Sequence, residues 1–131
     1  MKSIVLIARL CISLFGIALV VLGICFWTGH ALSLLQLHMT LGALFVVSLW
    51  VLAVIGLMGR GTRGMALVVL IWSLIVPALG VTQVTLLPGS DHWVVQVAHL
   101  LVGLIAVGLG HGLARRIGRQ TAAPPAVAAS V

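Results

Sequence analysis

The stretch Gly59-Arg60-Gly61-Thr62-Arg63 decides how this chain is organised, because it is a polar break in the middle of an otherwise apolar sequence. Two glycines and two arginines within five residues are typical of a tight, exposed turn. One apolar run, 32–58, ends just before the break, and another, 64–87, begins just after it. The stretch therefore predicts two consecutive helices that reverse direction at this point.

Outward from the turn, two further apolar runs cover residues 4–27 and 92–115. Each of the four runs exceeds the roughly 20 residues that a helix needs to cross a bilayer. Of the 131 residues, 63% are hydrophobic and 6% are charged, and the mean hydropathy is +1.36. Soluble domains do not have such values. We expect an all-α integral membrane protein with one four-span domain, 1–119, and a disordered tail, 120–131.

The formal net charge of +6 is explained by membrane topology and does not require a nucleic-acid partner. The seven basic residues lie before or early in the first run, in the central turn, or after the last run: Lys2, Arg9, Arg60, Arg63, Arg115, Arg116 and Arg119. With four crossings these places fall on one side of the membrane, which the positive-inside rule makes cytoplasmic. We expect an antiparallel up-down-up-down four-helix bundle in the bacterial inner membrane, with both termini and the tail in the cytoplasm. Contact of the arginines with anionic lipid is an additional interpretation.

The first run begins like a signal peptide, with Lys2 before an apolar segment. Its length and the interrupting Arg9 favour an uncleaved first span. Cys11 and Cys25 lie on this span and are separated by about 21 Å of helix rise, too far for a disulfide within one chain. We interpret both as small hydrophobic residues, with a lipidated or intermolecular thiol as the alternative.

Two histidines lie inside the apolar runs, and each is followed four positions later by glycine: His38 by Gly42, and His99 by Gly103. Residues four apart share a helix face, so each glycine predicts a shallow notch beside the imidazole. The second and fourth helices would run in the same direction, which places the histidines about 9 Å and about 10 Å from the outer helix ends. Ionisable groups inside a membrane are costly and tend to be functional.

Two imidazoles at a common depth on neighbouring helices are suited to bind one haem as its two axial ligands. We expect haem b near the periplasmic face, with its iron held by His38 and His99. The residues expected to line the haem are Gly42 and Gly103 at the porphyrin edge, and Phe45 and Ala106 at its inner end. For the second ring nitrogen of each histidine, a backbone carbonyl, Thr40, Gln83 or Gln96 is a candidate partner.

The position of the second helix decides whether the two depths match. If this helix begins near Leu32, His38 lies well inside the apolar layer. If it begins nearer Gln36, His38 lies closer to the interface, and its match with His99 is weaker.

The main alternative is a cofactor-free membrane subunit or interaction protein, in which His38 and His99 make hydrogen bonds across the bundle. A copper-handling membrane protein is a less favoured alternative, based on Met39 and on His30 and His92 at the outer surface. Met39 points about 100° away from its neighbouring histidine on a helix, so the two do not form a two-ligand face.

Other chemistry is restricted by the shortage of acidic residues. Asp91 is the one carboxylate side chain, which excludes paired-carboxylate catalysis and carboxylate proton relays. His111 lies near the cytoplasmic end without a histidine opposite it on the second helix, so we do not expect a second bis-histidine haem. An electron carrier or subunit is favoured over a stand-alone enzyme.

On His38, Gly42, His99 and Gly103, the chain resembles small bacterial b-type cytochrome membrane proteins, four-helix bundles that hold haem between histidines of two helices. The resemblance covers the four spans. It implies electron transfer or redox sensing, with a membrane quinol or a redox protein as the partner. Larger proteins of this architecture often carry a second histidine pair toward the inner side, and its absence here argues against electron conduction across the whole membrane.

Overall fold

The computed structural model describes residues 1–122, with side chains up to Gln120, and this part of the chain is helical apart from short connections. Its four α-helices are α1 Lys2–Trp27, α2 Leu35–Met58, α3 Arg63–Thr82 and α4 His92–Ala122. All four helical segments are long and apolar enough to cross a membrane. The expected all-α four-helix bundle is confirmed.

Three helix ends differ from the expected bounds by more than two residues. The α-helix α2 begins at Leu35, next to Gln36, which is the start that weakens the match in depth between His38 and His99; a short 3-10 helix, Leu32–Leu34, directly precedes it. The third helix ends at Thr82 and does not continue to Leu87: residues 83–85 form a turn, and Leu87 has a positive φ of 45°. The fourth extends to Ala122, so residues 120–122 of the expected tail are helical, and residues 123–131 lie outside the described part.

The helices that carry His38 and His99 are neighbours in space. α2 and α4 contact each other across the diagonal of the bundle, and each also packs against both α1 and α3. Within the described chain, α1 and α3 make no contact with each other. The two helices are therefore close in space, as the histidine hypothesis requires.

The buried core occupies one half of the bundle, which we call the packed half: residues 1–16, 45–73 and 106–120. Its fully buried hydrophobic side chains include Ile12, Phe45, Leu49, Leu52, Val69 and Leu113. The remaining segments, 17–44 and 74–105, form the open half, in which Val95 alone is buried. His38 and His99 both lie in the open half, where nearly all side chains are exposed or half-buried.

Glycines permit the close helix approaches of the packed half. A Cβ at Gly56 would lie 2.9 Å from the Cβ of Ala66 and 3.0 Å from Cδ1 of Leu113, at the point where α2, α3 and α4 meet. A Cβ at Gly110 would lie 2.7 Å from Cδ2 of Leu49. Small residues at such contacts let helix backbones pack closely, which is how helices associate in lipid.

The central turn is anchored to the end of α4. Thr62 is 1% exposed and donates a hydrogen bond from its hydroxyl to the Gly56 carbonyl at 2.6 Å. The side chain of Gln120 lies so close to Gly59 and Gly61 that a Cβ at either glycine would collide with it. The end of the Gln120 side chain thus packs against the backbone of the turn.

We predict that Gly56→Ala destabilises the protein by about 1–3 kcal/mol, the usual cost of overpacking a tight core. The added methyl group meets the Cβ of Ala66, which has no rotamer freedom with which to move away. Gly108→Ala is the matched control, because a Cβ there has no heavy atom within 4 Å. Unfolding by sodium dodecyl sulfate in mixed micelles, followed by circular dichroism, measures both changes; equal stabilities would contradict the role of Gly56.

Candidate functional site

His38 and His99 are held on regular helix, one turn into α2 and two turns into α4. Both residues are half-buried. Both lie in the open half, on two helices that contact each other. The structure therefore brings the two predicted ligands into one region of the open half.

Each of these histidines has a buried ring nitrogen without a partner. Nδ1 of His38 and Nδ1 of His99 make no hydrogen bond within residues 1–122. The hydroxyl of Thr40, one of the expected partners, donates instead to the Gln36 carbonyl at 2.9 Å. Buried polar atoms are nearly always satisfied, and leaving one unpaired costs free energy. Both rings thus retain unused capacity for a hydrogen bond or a metal bond.

The other three histidines all have hydrogen-bond partners. Nδ1 of His30 lies 3.1 Å from Oγ1 of Thr28, and Nδ1 of His92 lies 3.2 Å from the Leu86 carbonyl. Nε2 of His111 lies 3.2 Å from Oγ of Ser13 in the packed half. The unsatisfied nitrogens therefore single out the same pair that the His-x-x-x-Gly pattern indicated.

Two residues that the sequence did not single out position the imidazoles. Phe26 of α1 meets His38 edge-on, with ring centroids 5.4 Å apart and an angle of 61° between the ring planes. Gly80 of α3 faces His99, since a Cβ there would lie 3.0 Å from Cε1 and 3.7 Å from Nε2 of the ring. The depth of Phe26 and Gly80 along their helices can be read from the sequence. Their contacts with the histidines cannot, because they depend on how each helix is rotated about its axis.

The two glycines of the His-x-x-x-Gly motifs adjoin open space. A Cβ at Gly103 would have no heavy atom within 4 Å, and a Cβ at Gly42 would reach only Cδ2 of Leu19, at 4.0 Å. Neither imidazole fills the notch beside its own glycine. The glycine that contacts His99 is Gly80, from the neighbouring helix.

Phe45 and Ala106, the expected lining of the inner end, belong to the packed half. They are 2% and 1% exposed, and each lies seven residues after a histidine. Cε2 of Phe45 would lie 3.8 Å from a Cβ at Gly16 of α1. These side chains therefore close the core at the border with the open half.

Tryptophan side chains link the helices around this region. Nε1 of Trp72 on α3 donates to the Val102 carbonyl on α4 at 2.9 Å, and Nε1 of Trp50 on α2 donates to Oγ of Ser73 on α3 at 2.8 Å. Each indole thus ties two helices together. The bond to Val102 lies one turn from His99 and limits how far α4 can move from α3.

The described residues provide no ready site for a bare metal ion. They contain no group of three or more His, Cys, Asp or Glu side chains arranged to hold one. Cys11 and Cys25 are half-buried free thiols, and Met39 is 52% exposed. The copper alternative gains no support from these positions.

No protein-family model matches this chain, and no curated protein or solved structure shows significant similarity to it. The resemblance to b-type cytochromes is therefore carried by the histidine motifs alone and stays a prediction. The functional argument depends on the chemistry of the histidine pair.

We predict that Gly80→Val displaces the His99 ring, because the new side chain occupies the position that Cε1 now approaches. In spectra of protein labelled with ¹³C-histidine in micelles, the Hε1–Cε1 signal of His99, assigned with a His99→Gln variant, should shift. Gly103→Val is the control, since that position adjoins open space. A larger shift in the Gly103 variant than in the Gly80 variant would show that the ring contacts have been misassigned.

Proposed function

We propose that this protein is a b-type cytochrome-like membrane protein that binds one haem between α2 and α4, for electron transfer or redox sensing. His38 and His99 would hold its iron. The observation that carries the proposal is that these two histidines, on contacting helices, both keep a buried ring nitrogen without a partner in the described chain. The cofactor-free alternative with hydrogen-bonded histidines has no such bond to support it among residues 1–122.

The surroundings of the pair support a flat, apolar ligand. The open half has little buried core, and the space beside Gly42 and Gly103 is free of close neighbours. Haem bound there would supply a one-electron iron couple, whose potential depends on the axial ligands and on burial.

The protein's own residues orient the ligands in this proposal. Phe26 limits rotation of the His38 ring, and Gly80 provides the flat surface against which the His99 ring lies. The polar helix ends beyond the pair, near His30 and His92, are the side from which an electron donor or acceptor approaches. A quinol or a redox protein is the proposed partner.

We further propose that the helices cross the inner membrane in antiparallel, up-down-up-down order, with both termini in the cytoplasm. The contact between Ser13 and His111 joins the early part of α1 to the late part of α4. The contact between Phe26 and His38 joins the end of α1 to the start of α2. In the proposed topology the seven basic residues would all lie on one side of the membrane, as the positive-inside rule expects.

We predict that alkaline phosphatase, which is active only outside the cytoplasm, is active when fused after Ser90 and inactive when fused after Gly61. Green fluorescent protein should give the reverse pattern at the same two positions. The reason is that Gly61 belongs to the basic turn, whereas the loop before α4 contains no Lys or Arg. The reverse result for both reporters would contradict the proposed orientation.

We predict that the purified protein, expressed with haem supplied, shows a Soret band and a reduced-minus-oxidised α-band at one haem per chain. His38→Ala or His99→Ala should each abolish the α-band, because each removes one axial ligand. His111→Ala is the control and should retain the full band, since that ring pairs with Ser13 in the other half of the bundle.

Three outcomes of the same experiment distinguish the alternatives. Absence of Soret absorption in well-folded protein would favour the cofactor-free subunit. Stoichiometric copper or zinc without Soret absorption would favour a metal carrier. An unchanged α-band in both the His38 and His99 variants would show that other residues bind the haem.

A further inference from the structure

A groove follows the seam between α1 and α4 and has two adjoining sections. The apolar section encloses about 380 Å³, and its lining includes Gly16, Ile17, Val20, Leu104 and Val107. Next to it, the basic section encloses about 370 Å³, and its lining includes Lys2, Arg9 and Arg115. We call the two sections together the seam groove. It lies in a different place from the histidine pair described above.

The sequence produces this groove through one stripe of residues on each helix. On α1, the stripe runs from Arg9 through Ser13 and Gly16 to Val20, at spacings of four, three and four residues. On α4, a matching stripe includes Leu104, Val107, His111 and Arg115. The two stripes meet where Oγ of Ser13 lies 3.2 Å from Nε2 of His111.

The apolar section includes a close contact between α1 and α4. A Cβ at Gly16 would lie 3.0 Å from Cγ2 of Val107, so the helices are in close contact there. Ser13 and His111 line the apolar section at the end nearest Arg9 and Arg115. Polarity along the seam therefore changes from cationic, to neutral hydrogen-bonding, to apolar.

The cations of the basic section have no side-chain anion of this chain within reach. Asp91 is the only acidic side chain, and it is separated from Arg115 by about 36 Å of helix rise along α4. The charges of Arg9 and Arg115 both act on the ring of His111, so both lie close to the same point of the seam. A cluster of like charges beside an apolar groove is stabilised by an anion from outside the chain.

We infer that the seam groove binds an anionic phospholipid of the cytoplasmic leaflet. Its phosphate lies among Lys2, Arg9 and Arg115, and one acyl chain follows the apolar section between α1 and α4. Phospholipid fits better than a soluble anion because the cationic section continues directly into an apolar one. The inference rests on the proposed membrane orientation and is independent of haem binding.

The experiment uses the full-length protein in detergent micelles, with lipid binding followed by native mass spectrometry. Phosphatidylglycerol and phosphatidylcholine of equal chain length are compared, and the first should bind more tightly. Each cation near an anionic surface contributes a factor of about five to binding. The double variant R9Q/R115Q should therefore weaken phosphatidylglycerol binding roughly 25-fold. Phosphatidylcholine binding should stay the same.

The control is R60Q/R116Q, which removes the same number of charges from exposed residues outside the seam groove. It should bind phosphatidylglycerol as the unaltered protein does. Equal losses in the two double variants would overturn the inference, because they would indicate only a general attraction to positive charge. Equal affinity of the unaltered protein for the two lipids would also overturn it.

A second variant tests the apolar section. V20W/L104W fills it while keeping all three cations, and should weaken phosphatidylglycerol binding with helix content unchanged by circular dichroism. Unchanged lipid binding in this variant, or displacement of the lipid by millimolar inorganic phosphate, would overturn the acyl-chain assignment. Dimers held together through the seam and unaffected by lipid would show that a second copy of the chain occupies it.

These readouts are separate from those of the haem proposal. Protein that lacks a Soret band but prefers phosphatidylglycerol would contradict haem binding alone. Protein with a normal haem spectrum but no lipid preference would contradict the seam groove alone.

Discussion

The close approach of helix backbones at Gly16, Gly56 and Gly110 is the constraint on which the rest of this bundle depends. Lipid offers apolar side chains as good an environment as another helix does, so tight van der Waals contact has to hold the helices together. At Gly56 and Gly110 this contact involves side chains from two other helices. With one half of the bundle held in this way, the other half can remain more open.

The division between a packed and an open half corresponds to a difference in how the buried polar groups are paired. The buried hydroxyl groups of the packed half, those of Ser48, Thr62 and Ser73, all make hydrogen bonds, and Ser13 pairs with His111. In the open half, His38 and His99 keep unpaired buried nitrogens. Such unpaired groups cost stability. A ligand between the two rings would remove that cost, which is why the proposed function is assigned to this half.

Much of the candidate site was predictable from composition and spacing, but its immediate contacts were not. Hydropathy and charge placed His38 and His99 at similar depths, and the structure puts them on contacting helices. Gly80 and Phe26 were missed because their contacts depend on helix rotation, which a nearly uniform apolar sequence does not encode in an obvious way. The notches at Gly42 and Gly103 were predicted from spacing, yet the glycine that touches His99 comes from α3. The seam groove could not be predicted from the sequence for the same reason. Its two stripes lie far apart along the chain and meet only when α1 and α4 pack together.

The sequence by itself determined the number of helices, their approximate bounds and the concentration of basic residues at one end, because hydropathy and charge are properties of each segment alone. Only the tertiary structure decided that α2 and α4 contact each other across the diagonal, that the core occupies one half, and that Thr62 and Gln120 secure the central turn. These features depend on which faces of four similar apolar helices fit together. That choice is made by the shapes of small and large side chains in contact, and it exists only once all four helices are packed.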